Sequence, residues 1–109
     1  MVKKKYPVRQ VKKFAKDFVR HLEDKGLKVE KAYLFGSYAK NHARAWSDID
    51  VCIISKKNNG NADWGFLWKK RRIVDVERGI EPHFFSVKDF ASEEDPLVYE
   101  IKKTGVKLK

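Results

Sequence analysis

Hydrophobic residues recur at helical spacing in the first quarter of the chain. After Pro7, apolar side chains from Val8 to Leu22 follow the i, i+3, i+4 spacing of an amphipathic helix, and Gly26 lies just past them. We therefore predict a first helix that is stopped by Gly26. Its polar face carries lysines, arginines and His21, which we interpret as a solvated surface rather than an RNA-binding stripe.

Two apolar segments in the middle of the chain predict strands. Val29 to Phe35 is short, aliphatic and aromatic, and it runs into the turn residues Gly36-Ser37. We expect Tyr38 to about Ala43 to form a short helix. The segment from Ile49 to Ile53 then alternates apolar and polar residues with the period of a strand. The polar segment 56–61 after it is a predicted loop at the rim of a site.

A helical stripe follows in the second half of the chain. It predicts a third helix that opens at Asp63 or a near neighbour and ends before Gly79. The residues of the stripe are Trp64, Leu67, Trp68, Arg71 and Val74. We expect Trp64 and Trp68 to pack in the core rather than to stack on bases.

The last part of the chain predicts a strand, a helix and a short strand. Ile80 to Ser86 is a strand at an edge or irregular position, because Pro82 cannot donate to a ladder. Asp95-Pro96 begins a helix that ends before Gly105, and residues 106–108 add a short strand. This alternation of helices and strands predicts a small α/β layered domain, with strand directions left open.

Length and composition are those of one globular domain. The chain has 109 residues, of which 42% are hydrophobic and 13% aromatic, so we expect a single domain over residues 1–109. The lone Cys52 lies in an apolar run, and no apolar stretch reaches the roughly 20 residues that span a bilayer. We expect a cytoplasmic protein with a reduced, structural cysteine and no membrane partner.

The formal charge of +10 favours polyanions such as RNA or nucleotide phosphates. Lysines are spread along the whole chain, however, which is typical of a solvated surface. The charge alone therefore does not decide whether the chain binds nucleic acid.

Two aspartates at the start of the second predicted strand are the first chemical signal. Asp48 and Asp50 project from the same face, with Cα atoms roughly 6.5 to 7 Å apart. Their charges repel unless a cation lies between them, and Mg2+ favours one or two carboxylates plus phosphate oxygens. The alternative is that both simply face solvent at the strand end. The pair alone does not decide between these interpretations.

The upstream turn favours the metal interpretation. Gly36 lets the backbone approach a phosphate closely, and Ser37 offers a hydroxyl and an N–H group. A strand, this turn and a second strand with paired aspartates together place phosphates beside a metal ion.

These segments resemble a known family. Leu34-Phe35-Gly36-Ser37-Tyr38-Ala39-Lys40-Asn41, followed by Ser47-Asp48-Ile49-Asp50-Val51, is similar to the signature of the DNA polymerase beta nucleotidyltransferase superfamily, in its minimal nucleotidyltransferase branch. The resemblance extends to residues 80–86 and 95–105. It implies an α/β (α+β) fold with a small mixed sheet flanked by helices.

The resemblance also implies the ligands of two Mg2+ ions. Asp48 and Asp50 would be shared ligands, and the third carboxylate of the family lies on a later strand. Glu81 is its best match, with Asp75 and Glu77 as runners-up.

Two departures from the family pattern lie near the turn. Lys40-Asn41 stands where many members have Arg-Gly, and we expect the turn to survive because Asn tolerates left-handed backbone. Trp46 stands where a smaller or polar residue is commoner, and we expect it to pack, with shielding of the site or contact with the nucleotide base as alternatives. Lys40 and Arg44 are candidate phosphate contacts, and each is equally consistent with an exposed basic residue. We assign no role to His42 or His83.

The activity implied by the resemblance is transfer of a nucleoside monophosphate, AMP from ATP by expectation, to a hydroxyl with release of pyrophosphate. One ion would bind the triphosphate and the other would lower the pKa of the acceptor hydroxyl. Gly36 and Ser37 would hold the leaving phosphates, and Glu81 would bind metal, accept the proton, or both.

Small members of the family act with a separate helical partner, and they include antitoxins that add AMP to a partner toxin. We therefore expect such a partner or a homodimer to complete the acceptor side. The alternatives from other classes are a non-catalytic nucleotide-binding adaptor and an RNA-binding basic protein.

Overall fold

A four-stranded mixed sheet organises the chain. The structure is a computed structural model that describes residues 6–44, 47–56 and 64–109, apart from the side chain of Trp64. The strands are β1 (Val29–Phe35), β2 (Ile49–Ser55), β3 (Ile80–Ser86) and β4 (Val106–Lys107). The helices are α1 (Val8–Asp24), α2 (Trp64–Lys69), α3 (Ile73–Arg78), α4 (Val87–Ser92) and α5 (Pro96–Thr104). The predicted mixed sheet flanked by helices is confirmed.

The strand order β3-β2-β1-β4 determines where functional residues can meet. β1 is antiparallel to both β2 and β4, whereas β2 and β3 are parallel. β3 lies at the edge of the sheet, as Pro82 predicted. The C-terminal end of β1 therefore lies beside the N-terminal ends of β2 and β3, at one end of the sheet.

Both faces of the sheet are buried. α1 covers one face with fully buried residues such as Phe18 and Leu22, which confirms the predicted amphipathic helix. α4 and α5 cover the other face, where Cys52 and Ile54 of β2 are buried. Burial on both faces explains why the strand pattern of β2 stops alternating after Asp50.

The single helix predicted between Asp63 and Gly79 is wrong, because the structure has two helices there, α2 and α3. At the break, His21 Nε2 donates to the carbonyl of Lys70 at 2.8 Å, and Arg72 takes an extended backbone with φ −78° and ψ 165°. The N–H of Arg72 donates to the carboxylate of Asp75 at 2.9 Å. This capping hydrogen bond marks the start of α3 as a separate helix. His21 is consequently half-buried rather than part of a solvated face.

The predicted short helix between Tyr38 and Ala43 is also wrong. Residues 36–41 form hydrogen-bonded turns, and Asn41 ends them with a left-handed φ of 61°. The expectation that Asn41 supports the turn is confirmed. α4 was not predicted, although Ser86 Oγ accepts from the N–H of Asp89 at 3.1 Å and so caps this helix.

The expectation that the tryptophans pack in the core is wrong for Trp68. Its side chain is 36% exposed, and the guanidinium of Arg71 lies 4.0 Å from the ring centroid. Trp46, the side chain of Trp64 and most of the predicted 56–61 loop lie outside the described residues. In the part of the chain that is described, no helix has both the length and the apolar character needed to cross a membrane.

Candidate active site

Two carboxylates face each other where β2 and β3 begin. Asp50 and Glu81 are directly paired in the parallel register, so their side chains leave the same face of the sheet. Asp48 lies just before β2 and is exposed. His83, two residues after Glu81, completes a group with Asp50 and Glu81 whose potential ligand atoms all lie within 4.8 Å of one another. Such a set of oxygen and nitrogen atoms suits a divalent ion.

The carboxylates crowd one another. Burial raises the pKa of Glu81, and a hydrogen bond with Asp48 and the charges of Asp50 and Asp48 raise it further, while His83 opposes the shift. Among residues 6–44, 47–56 and 64–109, no Lys or Arg forms an ion pair with Asp50 or Glu81. A divalent cation would relieve the repulsion that basic side chains leave in place.

Gly36 packs directly against this group. Its φ is +76°, and a Cβ built there would overlap Oδ2 of Asp50 and lie 3.2 Å from Cγ. Both the left-handed backbone and the close approach of the Asp50 side chain therefore favour glycine at this position. The half-buried Ser37 follows, and its carbonyl accepts the N–H of His42 at 2.8 Å. The Gly36-Ser37 turn is therefore in contact with the carboxylate of Asp50.

The two candidate phosphate contacts lie in different surroundings. The ammonium of Lys40 forms an ion pair with Glu100 of α5. Arg44 is exposed, and its backbone N–H donates to Ser47 Oγ at 2.8 Å just before Asp48. Their contact with phosphate stays a prediction.

The runners-up for the third carboxylate lie on α3 rather than on a strand. Asp75 is fully buried and accepts hydrogen bonds from the backbone N–H, Nε and Nη2 of Arg72, each at 2.9 Å. Glu77 is exposed. The hydrogen bonds of Asp75 give it a structural role in holding the start of α3.

Sequence reasoning missed His83. Its Nε2 lies 3.3 Å from Asp50 Oδ1 and 3.7 Å from Glu81 Oε1. The signal was present, because residues i and i+2 of a strand share a face and Glu81 and His83 have that spacing. Phe35 packs edge-on against the imidazole, with ring centroids 4.9 Å apart.

Comparison with protein families identifies the fold and its chemistry. The profile of the nucleotidyltransferase domain matches residues 10–108, nearly the whole chain. The chain belongs to the nucleotidyltransferase domain family. This agrees with its resemblance to minimal nucleotidyltransferases, and membership implies a nucleoside triphosphate substrate and a divalent metal ion. A comparison with curated protein sequences gave no significant match.

Two solved structures share the fold of this nucleotidyltransferase. A provisionally assigned nucleotidyltransferase from Sulfolobus solfataricus is 18% identical with a TM-score of 0.63, covering 92% of this chain and 80% of the other. A toxin-antitoxin structure with AMP-PNP is 21% identical with a TM-score of 0.62, covering 86% of this chain and 72% of the other. At these identities the likeness establishes the fold.

Proposed function

We propose that this nucleotidyltransferase transfers AMP from ATP to a hydroxyl group and releases pyrophosphate, at a site built from Asp48, Asp50 and Glu81 beside Gly36-Ser37. The observation that carries the proposal is the contact of Gly36 with Asp50, whose carboxylate in turn faces Glu81. This contact brings the turn that would bind phosphate beside the carboxylates that would bind metal. The toxin-antitoxin structure with AMP-PNP supports an adenine nucleotide.

The donor set fits magnesium. Asp48, Asp50 and Glu81 would hold it, since Mg2+ binds through few carboxylates and completes its shell with water and phosphate oxygens. When bound, two ions would supply charge neutralisation on the phosphates and a lowered pKa of the acceptor hydroxyl.

The remaining steps belong to the chain's own groups. Glu81, which is paired with Asp50 at the start of β3, would accept the proton of the acceptor hydroxyl. The Gly36-Ser37 turn would bind the phosphates that leave as pyrophosphate, through its N–H groups and the Ser37 hydroxyl.

We propose a separate helical protein as the partner that presents the acceptor hydroxyl, with this chain acting as an antitoxin; a homodimer is the alternative. Exposed apolar side chains on α3 support a docking partner, because Ile73 is 80% and Val76 53% exposed. Copurification of the native protein at physiological salt tests this. A monomer that is fully active alone would contradict it.

Labelling with α-labelled ATP tests reaction and acceptor together. Three forms of the protein are each incubated with Mg2+ and cell extract. They are the wild type, the Asp48→Asn/Asp50→Asn double variant, and Asp24→Asn as a control. Asp24 is an exposed carboxylate at the end of α1, on a helix that covers the opposite face of the sheet from Asp50.

We expect label on a protein band with wild type and control only. Equal labelling by the double variant would refute the metal assignment. Label on an RNA band would show that the acceptor is RNA rather than a protein. No labelling by any form would favour a non-catalytic nucleotide-binding adaptor.

A further inference from the structure

His83 lies beside the two facing carboxylates but has no part in the proposed transfer so far. Its Nδ1 is buried, whereas Nε2 lies 3.3 Å from Asp50 Oδ1 and 3.7 Å from Glu81 Oε1. The imidazole therefore presents one nitrogen to the site.

The spacing of the three side chains is compatible with one shared ion. His83 Nε2 is hydrogen-bonded to Asp50 Oδ1 at 3.3 Å, whereas its 3.7 Å separation from Glu81 Oε1 is too long for a hydrogen bond. Ligands about 2.1 Å from one ion lie roughly 3.0 Å apart at right angles and roughly 3.4 Å apart at tetrahedral angles. Nε2 thus lies close to the position of a neighbouring ligand on the same ion as the two carboxylates.

Packing fixes this orientation before any ion binds. The side chain of His83 is 15% exposed, and the edge-on ring of Phe35, tilted by 70°, packs against it. A ligand whose rotamer is already fixed loses little entropy when it binds a metal.

We propose that His83 Nε2 is a direct ligand of the divalent ion held by Asp50 and Glu81, and that this site consequently prefers a first-row transition ion such as Mn2+ over Mg2+. Imidazole nitrogen suits transition ions, whereas Mg2+ favours oxygen ligands and water. The inference rests on the proposed function, since it takes the same carboxylates as metal ligands.

Mn2+ titration of the full chain tests the preference without any turnover. Free Mn2+ is measured by electron paramagnetic resonance, and Mg2+ is added as competitor. The variants are His83→Gln and, as a matched control, His21→Gln on α1, which covers the opposite face of the sheet. We expect His83→Gln to lower Mn2+ affinity at least about tenfold and Mg2+ affinity much less. The control should keep the ratio of the two affinities.

A spectroscopic measurement separates direct ligation from mere positioning of Asp50. Spin-echo modulation from 14N should be present in the Mn2+-loaded wild type and His21→Gln and absent in His83→Gln. Bound Mn2+ without nitrogen modulation in the wild type, or an unchanged Mn2+ to Mg2+ affinity ratio in His83→Gln, would overturn the proposal.

Three further outcomes have a defined meaning. If His83→Gln does not fold, modulation that survives both His21→Gln and His42→Gln assigns the ligand to His83, because the chain has three histidines. If the wild type binds Mn2+ and transfers labelled nucleotide but lacks nitrogen modulation, only the role of His83 fails. If it binds neither ion, the proposed function fails with it.

Discussion

The substitution Gly36→Ala tests whether the packing of the turn against Asp50 supports the proposed metal site. At φ +76° a residue with a side chain costs about 1 to 2 kcal/mol of folding free energy. The added Cβ also overlaps Oδ2 of Asp50. Because that oxygen ends a flexible side chain, we expect Asp50 to rotate away at little further cost in stability. It then no longer lies where it would bind metal.

Gly26→Ala is a matched control for the backbone strain. Gly26 has φ +98°, and a Cβ there meets nothing within 4 Å. Both alanine variants should therefore lose about 1 to 2 kcal/mol of unfolding free energy, measured by urea denaturation with a chelator present. Only Gly36→Ala should lose metal affinity, at least about tenfold or about 1.4 kcal/mol, measured by calorimetric titration with Mg2+ and a non-hydrolysable ATP analogue.

Two results would refute this reasoning. If Gly36→Ala binds metal and nucleotide as tightly as Gly26→Ala does, the turn is not packed against a functional Asp50. If Gly36→Ala is instead more than about 3 kcal/mol less stable than wild type, Asp50 cannot move aside and the clash is absorbed by the fold, as in overpacked cores.

Four further measurements follow from burial and charge. Glu81→Gln removes one of the crowded charges, so it should raise the unfolding free energy of the metal-free protein, while nucleotide transfer is lost. A lower unfolding free energy would contradict repulsion of Glu81 by Asp48 and Asp50. Asp75→Asn should lower that free energy by about 1 to 3 kcal/mol and leave metal affinity unchanged; lost metal affinity in the folded variant would make Asp75 the third ligand. The thiol of Cys52 is buried with its pKa raised to about 12, so a thiol reagent at pH 8 should modify it only after unfolding, and rapid native labelling would contradict this. The hydrogen bond from Arg72 lowers the pKa of Asp17, so its stabilisation is present at neutral pH and lost as the pH falls through the lowered value. Asp17→Asn should therefore cost up to about 1 kcal/mol at pH 7 and progressively less below about pH 4 in acid titrations of stability, whereas a constant cost would exclude the charge as its cause.

The elements that could be predicted from sequence are those with local signals at their ends. β1 was predicted with its observed bounds because Gly36 ends an aliphatic run. α5 is predicted from Asp95-Pro96 at its start and Gly105 after its end, and in the structure Asp95 caps the helix by accepting from the N–H of Leu97 at 2.8 Å. In each case the backbone preference of one or two residues determines the boundary.

Apart from α4, which has a local cap at Ser86, the features that the sequence does not predict depend on contacts between distant residues. The break between α2 and α3 involves His21 and Lys70, which are 49 positions apart. The pairing of Asp50 with Glu81 depends on the parallel register of β2 and β3, which no local pattern determines. For the same reason His83 had no visible partner in the sequence, although its spacing from Glu81 was already that of one strand face.

The other carboxylates of the chain provide an internal comparison for the site. Basic side chains pair with acidic residues in several other places, namely Asp17 and Asp75 with Arg72, Glu23 with Lys109, Glu93 with Lys102 and Glu100 with Lys40. In the described part of the chain the facing pair of Asp50 and Glu81 has no Lys or Arg partner, although the protein carries 25 such residues, and the basic group beside it is the imidazole of His83. A carboxylate pair without a Lys or Arg partner costs stability, and a bound cation would offset that cost, because a ligand at 100 times its dissociation constant stabilises the fold by about 2.7 kcal/mol. The charge pattern therefore favours a metal centre over a solvated strand end, independently of the family to which the chain belongs.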